Sequence, residues 1–155
     1  MINLKRILVP TDFSESARHA LTYGISFARE HKARLYLLHV VETIAVGYAS
    51  DLFPVPLAEV FQEISGYAKA ELAKLAGAAR EKGVEVQEIV VQGKPSAEII
   101  RVARDELIDM IVLGTHGKGI LDQALFGSTT ERVVRKAPCP VLTTRLKEHE
   151  FVDEK

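Results

Sequence analysis

Residues 110–143 read MIVLGTHGKGILDQALFGSTTERVVRKAPCPVLT, and this stretch holds the most informative pattern in the sequence. It opens with one short apolar run, at 110–113, and closes with another, at 141–143. Between them a glycine-rich segment leads into a helix predicted for residues 128–136, which the prolines at 138 and 140 stop. Two short apolar runs joined through a helix predict two parallel strands, because parallel strands need a long crossover connection.

The rest of the chain repeats this unit. Apolar runs at 7–9, 35–41 and 84–91 predict strands one to three, and apolar residues spaced three and four apart predict helices between them. The resulting order, βαβαβαβαβ, predicts an α/β fold with a parallel sheet covered by helices on both faces. The alternating third strand and the short fifth strand suit the sheet edges. Right-handed crossovers then give a doubly wound sandwich, since five strands are too few for an eight-stranded barrel.

The composition describes an ordinary globular chain of 155 residues with a formal net charge of −1. That charge gives no overall field to attract nucleic acid or an anionic membrane. Cys139 is the single cysteine, and no apolar run approaches the roughly 18 residues of a membrane helix. We therefore expect a soluble, cytoplasmic protein with one domain over 1–146 and a charged tail over 147–155. Residues 43–56 lack a clear period and form either a lid over the sheet edge or a surface insert.

Four glycines follow the fourth predicted strand, and their spacing distinguishes between the known nucleotide-binding motifs. A Walker phosphate loop is excluded, because GTHGK at 114–118 is too short and lacks a hydroxyl residue after the lysine. A dinucleotide fingerprint is excluded, because its third glycine is missing and the stretch follows the wrong strand. The spacing that fits is G-x2-G-x9-G-[ST], formed by Gly114, Gly117, Gly127 and Ser128, which leaves Gly119 as a turn residue.

With this spacing the chain resembles the universal stress protein family, specifically its ATP-binding branch. Four segments carry the resemblance in family order: ILVPTDFS at 7–14, LLHVV at 37–41, LGTHGKG at 113–119 and FGSTTERVVRKAPCPVL at 126–142. The resemblance covers essentially the whole chain. It implies a Rossmann-like, adenine nucleotide α-hydrolase-like sheet of five parallel strands in the order 3-2-1-4-5. Strands one and four would then be neighbours at the reversal of strand order, where open parallel sheets bind ligands.

The predicted phosphate site lies where the fourth helix begins. Gly127, Ser128, Thr129 and Thr130 offer phosphate their backbone N–H groups, their hydroxyls and the positive end of the helix dipole. A second reading stays open, because Ser128 and Glu131 also form the S-x-x-E pattern of a helix capping box. Both roles can coexist at one serine.

By resemblance, the rest of the nucleotide site comes from the ends of strands one, two and four. The positions implied are Pro10, Thr11, Asp12, Val40, Leu113, Gly114, Thr115 and Gly117. Asp12 would accept hydrogen bonds from the ribose or the base, although with Glu15 it also forms a capping pattern, unless Ser14 caps the helix instead. Val40 and Leu113 would be apolar walls, with plain core as the alternative. The glycines would let the backbone approach the ribose and phosphates, or would simply form a turn.

The resemblance implies an ATP-loaded stress sensor or regulator that forms a homodimer through the fifth strand, by Val141, Leu142 and Thr143, and acts on a protein partner. No catalytic residue is assigned, because no base or arginine for phosphoryl transfer is visible. No cluster has metal-ligand spacing, so Mg2+ would arrive with the ATP phosphates. Two alternatives stay open: a slow ATPase or nucleotidyl-transfer enzyme of this architecture, and a nucleotide-free interaction scaffold. His39 and Cys139 are expected to be packing residues.

Overall fold

The computed structural model describes residues 1–42, 57–115 and 127–146. In these ranges the strands are β1 (Arg6–Pro10), β2 (Arg34–Glu42), β3 (Val86–Gly93), β4 (Met110–Gly114) and β5 (Val141–Thr144). The helices are α1 (Glu15–His31), α2 (Leu57–Glu81), α3 (Pro95–Asp105) and α4 (Ser128–Lys136). The predicted alternation of strands and helices is confirmed. The predictions for residues 43–56, for Gly117 and for the tail at 147–155 lie outside the described residues.

The strands form one parallel sheet in the order β3-β2-β1-β4-β5, which confirms the predicted topology. β1 pairs with β2 along the whole of Arg6–Pro10. Its ladder with β4 consists of Ile7 beside Met110 and Leu8 beside Ile111, near the start of both strands. β1 and β4 therefore separate towards their carboxyl ends. The gap lies where the strand order reverses, which is the usual ligand position in such sheets.

Each face of the sheet has its own pair of helices. Ile7 and Val9 point to one face and pack in a buried cluster with apolar residues of α1 and α2. Leu8 points to the other face and packs with residues of α3 and α4. Burial contributes roughly 1.5–3 kcal/mol for each side chain of this size, so these two clusters hold the helices on the sheet. Within the described ranges, no helix has both the length and the apolar character needed to cross a membrane.

The third strand begins later than predicted. The sequence predicted residues 84–91, whereas β3 spans Val86–Gly93. Val84 is buried, but its N–H donates to the carbonyl of Ala79 at 3.2 Å, in the turn where Gly83 has φ +82°. A valine buried beneath a turn has the same apolar signature as a valine in a strand, so the sequence pattern could not separate the two.

Candidate functional site

A cavity of about 290 Å³ opens where β1 and β4 separate. Its walls come from the carboxyl ends of β1, β2 and β4 and from the N-terminal turns of α1, α3 and α4. Except for Thr115, every predicted site residue that the structure describes lines this cavity. These residues are Pro10, Thr11, Asp12, Val40, Leu113, Gly114, Gly127, Ser128, Thr129 and Thr130. Residues that are far apart in sequence are thus brought to a single crevice.

Thr115 lies behind the cavity wall and not on it. Its side chain is 1% exposed, and its N–H donates to the carbonyl of Thr144 at 3.0 Å. Its own carbonyl accepts from the N–H of Gly127 at 2.8 Å. Thr115 therefore ties the end of β4 both to β5 and to the residue before α4. Its hydrogen bond to Gly127 makes Thr115 a positioning residue. The glycine spacing alone did not indicate this role.

The turn after β1 is built from hydrogen bonds between short polar side chains and the backbone. Thr11 Oγ1 accepts from the N–H of Phe13 at 3.0 Å, and Asp12 Oδ1 accepts from the N–H of Ser14 at 3.0 Å. Ser14 is the N-cap of α1, and its hydroxyl accepts from the N–H of Ala17 at 3.2 Å. The reading in which Asp12 caps the helix is therefore wrong. Asp12 instead shapes the turn, with its carboxylate at the cavity.

Phe13 and His39 brace this turn from outside the cavity. Phe13 has φ +64°, a left-handed conformation that is unfavourable for a bulky residue. Its ring stacks on the His39 ring, with centroids 4.5 Å apart, and His39 Nδ1 lies 2.8 Å from the carbonyl oxygen of Thr11. These contacts offset the backbone cost and fix the direction of the turn. The sequence predicted His39 as a core residue; it is half-buried and supports the candidate site.

The N-terminus of α4 points into the cavity without a side-chain cap. Gly127 is the N-cap residue, and Ser128 is the first residue of the helix, with an exposed side chain. The capping-box reading of Ser128 and Glu131 is therefore wrong, because a serine already inside the helix cannot cap it. N–H groups in the first turn have no acceptor within a helix. Those of Ser128 and Thr129 thus stand at the cavity beside two hydroxyl groups.

Thr130 differs from its neighbours because its hydroxyl is already engaged. The side chain is 4% exposed, and Oγ1 donates to the carbonyl of Gly114 at 3.0 Å. A hydroxyl has one proton to donate, so this bond uses the donor that a phosphate would need. Thr130 therefore holds the first turn of α4 against the end of β4.

Gly114 is required by a close approach between backbone segments. A Cβ placed on Gly114 would lie 2.8 Å from the carbonyl oxygen of Ser16 and would also collide with the Ser16 hydroxyl. The glycine therefore lets the first turn of α1 rest on the end of β4. The sequence predicted a ligand contact or a turn at Gly114; the structure shows a strand residue packed against a helix backbone.

Several cavity residues were not predicted. They are Ala17 at the start of α1, Leu38 and Glu42 on β2, and Pro95 and Ile99 on α3. The predicted site was limited to the ends of strands one, two and four and to the start of the fourth helix. A signal for α3 existed, because Pro95 stands two residues after Gly93, where β3 ends, and so marks a helix that starts at the same sheet edge.

Cys139, the single cysteine of the chain, does not line the cavity and has a protonated thiol. Burial, followed by the negative charge of Asp109, raises the pKa of the Cys139 thiol. A thiol with a raised pKa stays protonated at neutral pH and is a poor nucleophile. In the ranges 1–42, 57–115 and 127–146, no three His, Cys, Asp or Glu side chains are grouped as metal ligands.

The chain matches the model of the universal stress protein family over residues 3–145. Universal stress protein MJ0577 of Methanocaldococcus jannaschii is 33% identical over 156 aligned residues, which cover 92% of this chain and 96% of that protein. The solved structure of MJ0577 superposes with a TM-score of 0.85 and covers 96% of this chain and 100% of that one.

Two further solved structures share the fold and contain nucleotides. A universal stress protein in complex with cAMP is 21% identical, with a TM-score of 0.69 and coverage of 93% and 98% of the two chains. A universal stress protein of Archaeoglobus fulgidus in complex with dAMP is also 21% identical, with a TM-score of 0.64 and coverage of 92% and 98%. At this identity the likeness establishes the shared fold.

Proposed function

Because this chain belongs to the universal stress protein family, we propose that it binds ATP in the crevice between β1 and β4 and acts as a nucleotide-dependent stress sensor or regulator. One observation carries the proposal: the uncapped N-terminus of α4 and the Asp12 carboxylate line the same cavity. The first suits phosphate, and the second suits ribose hydroxyls or a base amine.

The residues fit an adenine nucleotide in both chemistry and placement. Half-buried Val40 supplies apolar surface on which a purine can pack, and the buried residues Leu38 and Ile99 complete this apolar part of the lining. At the other end, Ser128 and Thr129 would donate backbone and side-chain hydrogen bonds to phosphate oxygens. The cavity is near the lower end of the range for small-molecule sites, roughly 300–1,000 Å³. When bound, ATP would bring negative charge and phosphate anhydride bonds to the crevice, and the nucleotide-bound protein would differ from the free protein in these features.

Other parts of the predicted site enter the proposal with altered roles. Thr115 and Thr130 would position the phosphate-binding turn and would not contact phosphate, because their hydrogen bonds join β4 to α4. Gly117 is kept as a ribose or phosphate contact on its spacing alone. Mg2+ would enter with the phosphates, with no carboxylate cluster of the described residues dedicated to it. The cytoplasm is the proposed location, since the single cysteine suits a reducing compartment.

Support for a nucleotide comes from the two related structures with cAMP and dAMP, which show adenine nucleotides held on this fold. ATP itself is proposed because the G-x2-G-x9-G-S spacing resembles that of the ATP-binding branch of the family. A triphosphate benefits most from an uncapped helix N-terminus, because it brings the most negative charge to it.

The test is to purify the protein, denature it, and identify any released small molecule by absorbance and mass. Calorimetric titration with ATP, AMP, cAMP and dAMP then ranks their affinities. We expect ATP to bind most tightly. Release of no nucleotide, together with no heat from any of the four, would overturn the proposed function. Steady turnover of ATP that disappears on replacement of Asp12 would favour an enzyme instead.

Ser128→Ala should weaken ATP binding about fivefold to tenfold and leave the free energy of unfolding within about 0.5 kcal/mol of the original. The hydroxyl is exposed at the first helical position and caps nothing, so its loss removes only the proposed phosphate contact. Calorimetry and urea denaturation measure the two quantities. A large loss of stability with unchanged affinity would restore a structural role for Ser128.

Thr130→Val is the matched variant two positions along the same helix, and it should behave in the opposite way. It removes the hydrogen bond to the Gly114 carbonyl from a buried position, which costs about 1–2 kcal/mol of stability. Its effect on ATP affinity should be smaller than that of Ser128→Ala. Equal losses of affinity in both variants would contradict the separation of roles.

We also propose a homodimer through β5. Val141, Leu142 and Thr143 are half-buried, and among the described strands β5 pairs with β4 alone. The ladder with β4 includes the N–H of Ile111 bonded to the carbonyl of Pro140. Because parallel ladders alternate, the N–H groups of Val141 and Thr143 point away from β4, towards a partner strand. An unpaired edge of this kind invites pairing with a second copy.

Thr143→Pro should convert the dimer to a monomer that still folds. Proline removes an outward N–H, which a partner strand would use, and leaves the bonds to β4 intact. Analytical ultracentrifugation at micromolar concentration reads the mass. Tyr67→Ala is the control, because Tyr67 is 67% exposed on α2, at the opposite side of the sheet. A monomeric original protein, or a dimer that survives Thr143→Pro, would contradict the proposed interface.

A further inference from the structure

A second recess adjoins the crevice on the side away from β1. It has a volume of about 290 Å³ and shares Glu42, Pro95, Ser128 and Thr129 with the crevice. Beyond these shared residues it continues between the turn from β3 to α3 and the outer side of α4's first turn. The proposed phosphate-binding end of the crevice therefore opens into further space.

Two cationic side chains from different elements line this recess. Lys94 precedes α3, and Arg132 lies on α4, one helical turn after Ser128. Neither forms an ion pair with any of the described residues. By contrast, Arg101 on α3 pairs with Glu98, and Arg135 on α4 pairs with Glu131. The cations that face the recess are thus available to an external anion, while their neighbours along the same helices are neutralised.

Ser96 adds a hydroxyl group to the lining of the recess. Its side chain is 5% exposed and lines the recess, and its hydroxyl makes no hydrogen bond to any described residue. The N-cap residue of α3, Lys94, also makes no side-chain capping bond. Because Ser96 lines the recess, its hydroxyl is placed to donate a hydrogen bond to an oxygen of a ligand bound there.

The local charge favours an anion. The N-terminal turns of α3 and α4 both border the recess, and each presents the positive end of its helix dipole there. Glu42 is the acidic side chain at the shared opening, and it is exposed to solvent. Two cations against one carboxylate leave one positive charge in excess. Guanidinium, ammonium and hydroxyl donors together suit the oxygens of a phosphate group.

We propose that this recess is a second phosphate subsite, formed by Lys94, Ser96 and Arg132, next to the phosphate end of the nucleotide crevice. The proposal rests on the proposed function for its neighbour, the ATP site, but its own chemistry is independent of it. The phosphate has two sources: the terminal phosphate of the bound ATP, or a separate phosphate group that binds beside the nucleotide.

The test compares Lys94→Gln, Arg132→Gln and Ser96→Ala with the original protein. Calorimetry gives the affinities for ATP and AMP, and phosphorus NMR gives the binding of inorganic phosphate to the free and the AMP-loaded protein. Arg135→Gln is the matched control, because Arg135 lies on the same helix, outside the recess, and is 73% exposed. Circular dichroism checks that each variant is folded.

If the terminal phosphate of ATP occupies the subsite, each variant should bind ATP about threefold to tenfold more weakly and AMP with unchanged affinity. If a separate phosphate occupies it, ATP and AMP affinities should persist, while the variants lose the inorganic phosphate signal of the original protein. The proposal would be overturned if ATP affinity and inorganic phosphate binding were unchanged in all three variants, or if Arg135→Gln had an equal effect. Should the original protein bind no nucleotide, the proposed function fails, and the inorganic phosphate titration alone decides on the subsite.

Discussion

Gly127→Val should reduce ATP affinity at least about 100-fold, which corresponds to about 2.8 kcal/mol, while the protein remains folded. Gly127 lines the cavity at the N-cap of α4, with φ −69° and ψ 157°. These angles lie in the extended region that valine adopts readily. The loss would therefore come from the branched side chain in the space where phosphate approaches the helix N-terminus.

The measurement is calorimetric titration with ATP, with thermal unfolding by circular dichroism as the folding check. Valine is a poorer N-cap residue than glycine, which should cost about 1 kcal/mol of stability. Gly127→Ala is the graded control and should lose less affinity, since it adds a single methyl group. An unchanged affinity in Gly127→Val would place the phosphates elsewhere on the protein.

Gly114→Ala should lower the free energy of unfolding by about 2–3 kcal/mol. The added Cβ would meet the backbone of Ser16, 2.8 Å from its carbonyl oxygen. A flexible side chain could swing away, but this oxygen is part of the first turn of α1. Relief of the clash would have to shift the helix relative to β4. Urea denaturation measures the change.

Gly66→Ala and Gly77→Ala are controls with the opposite expected sign. Both glycines lie within α2, and a Cβ at either would meet nothing within 4 Å. Alanine is the better helix former, so each change should raise stability by about 0.5–1 kcal/mol. If Gly114→Ala were as stable as these variants, the contact with Ser16 would not be the reason for glycine at this position.

The sheet could be predicted because its signals are local. Each strand is a short apolar run, each helix has a clear period, and the short β5 and the alternating start of the third strand mark the edges. The family resemblance added the strand order, and with it the position of the crevice. Pro10, Asp12 and Gly127 could then be placed at one site before their distances were known.

The roles of individual residues could not be predicted, because they depend on which neighbour each one meets. Ser128 has the capping-box pattern, yet the helix begins one residue too early for that box to form. Thr130 has the same hydroxyl as Thr129, but burial against Gly114 gives it a different partner. The part of the cavity wall formed by α3 depends on how α3 and α4 pack on the same face of the sheet. The spacing of glycines along the chain carries no information about this packing.

The ladder between β1 and β4 is short, so this junction is a weak connection between two parts of the sheet. It joins a three-stranded half of the sheet to a two-stranded half through few backbone bonds. A ligand that contacts Asp12 on one side and Ser128 on the other would brace the two halves together. Binding to the folded state alone raises stability by about 2.7 kcal/mol when the free ligand is about 100 times its Kd. Nucleotide binding in the crevice would therefore make the whole sheet more rigid.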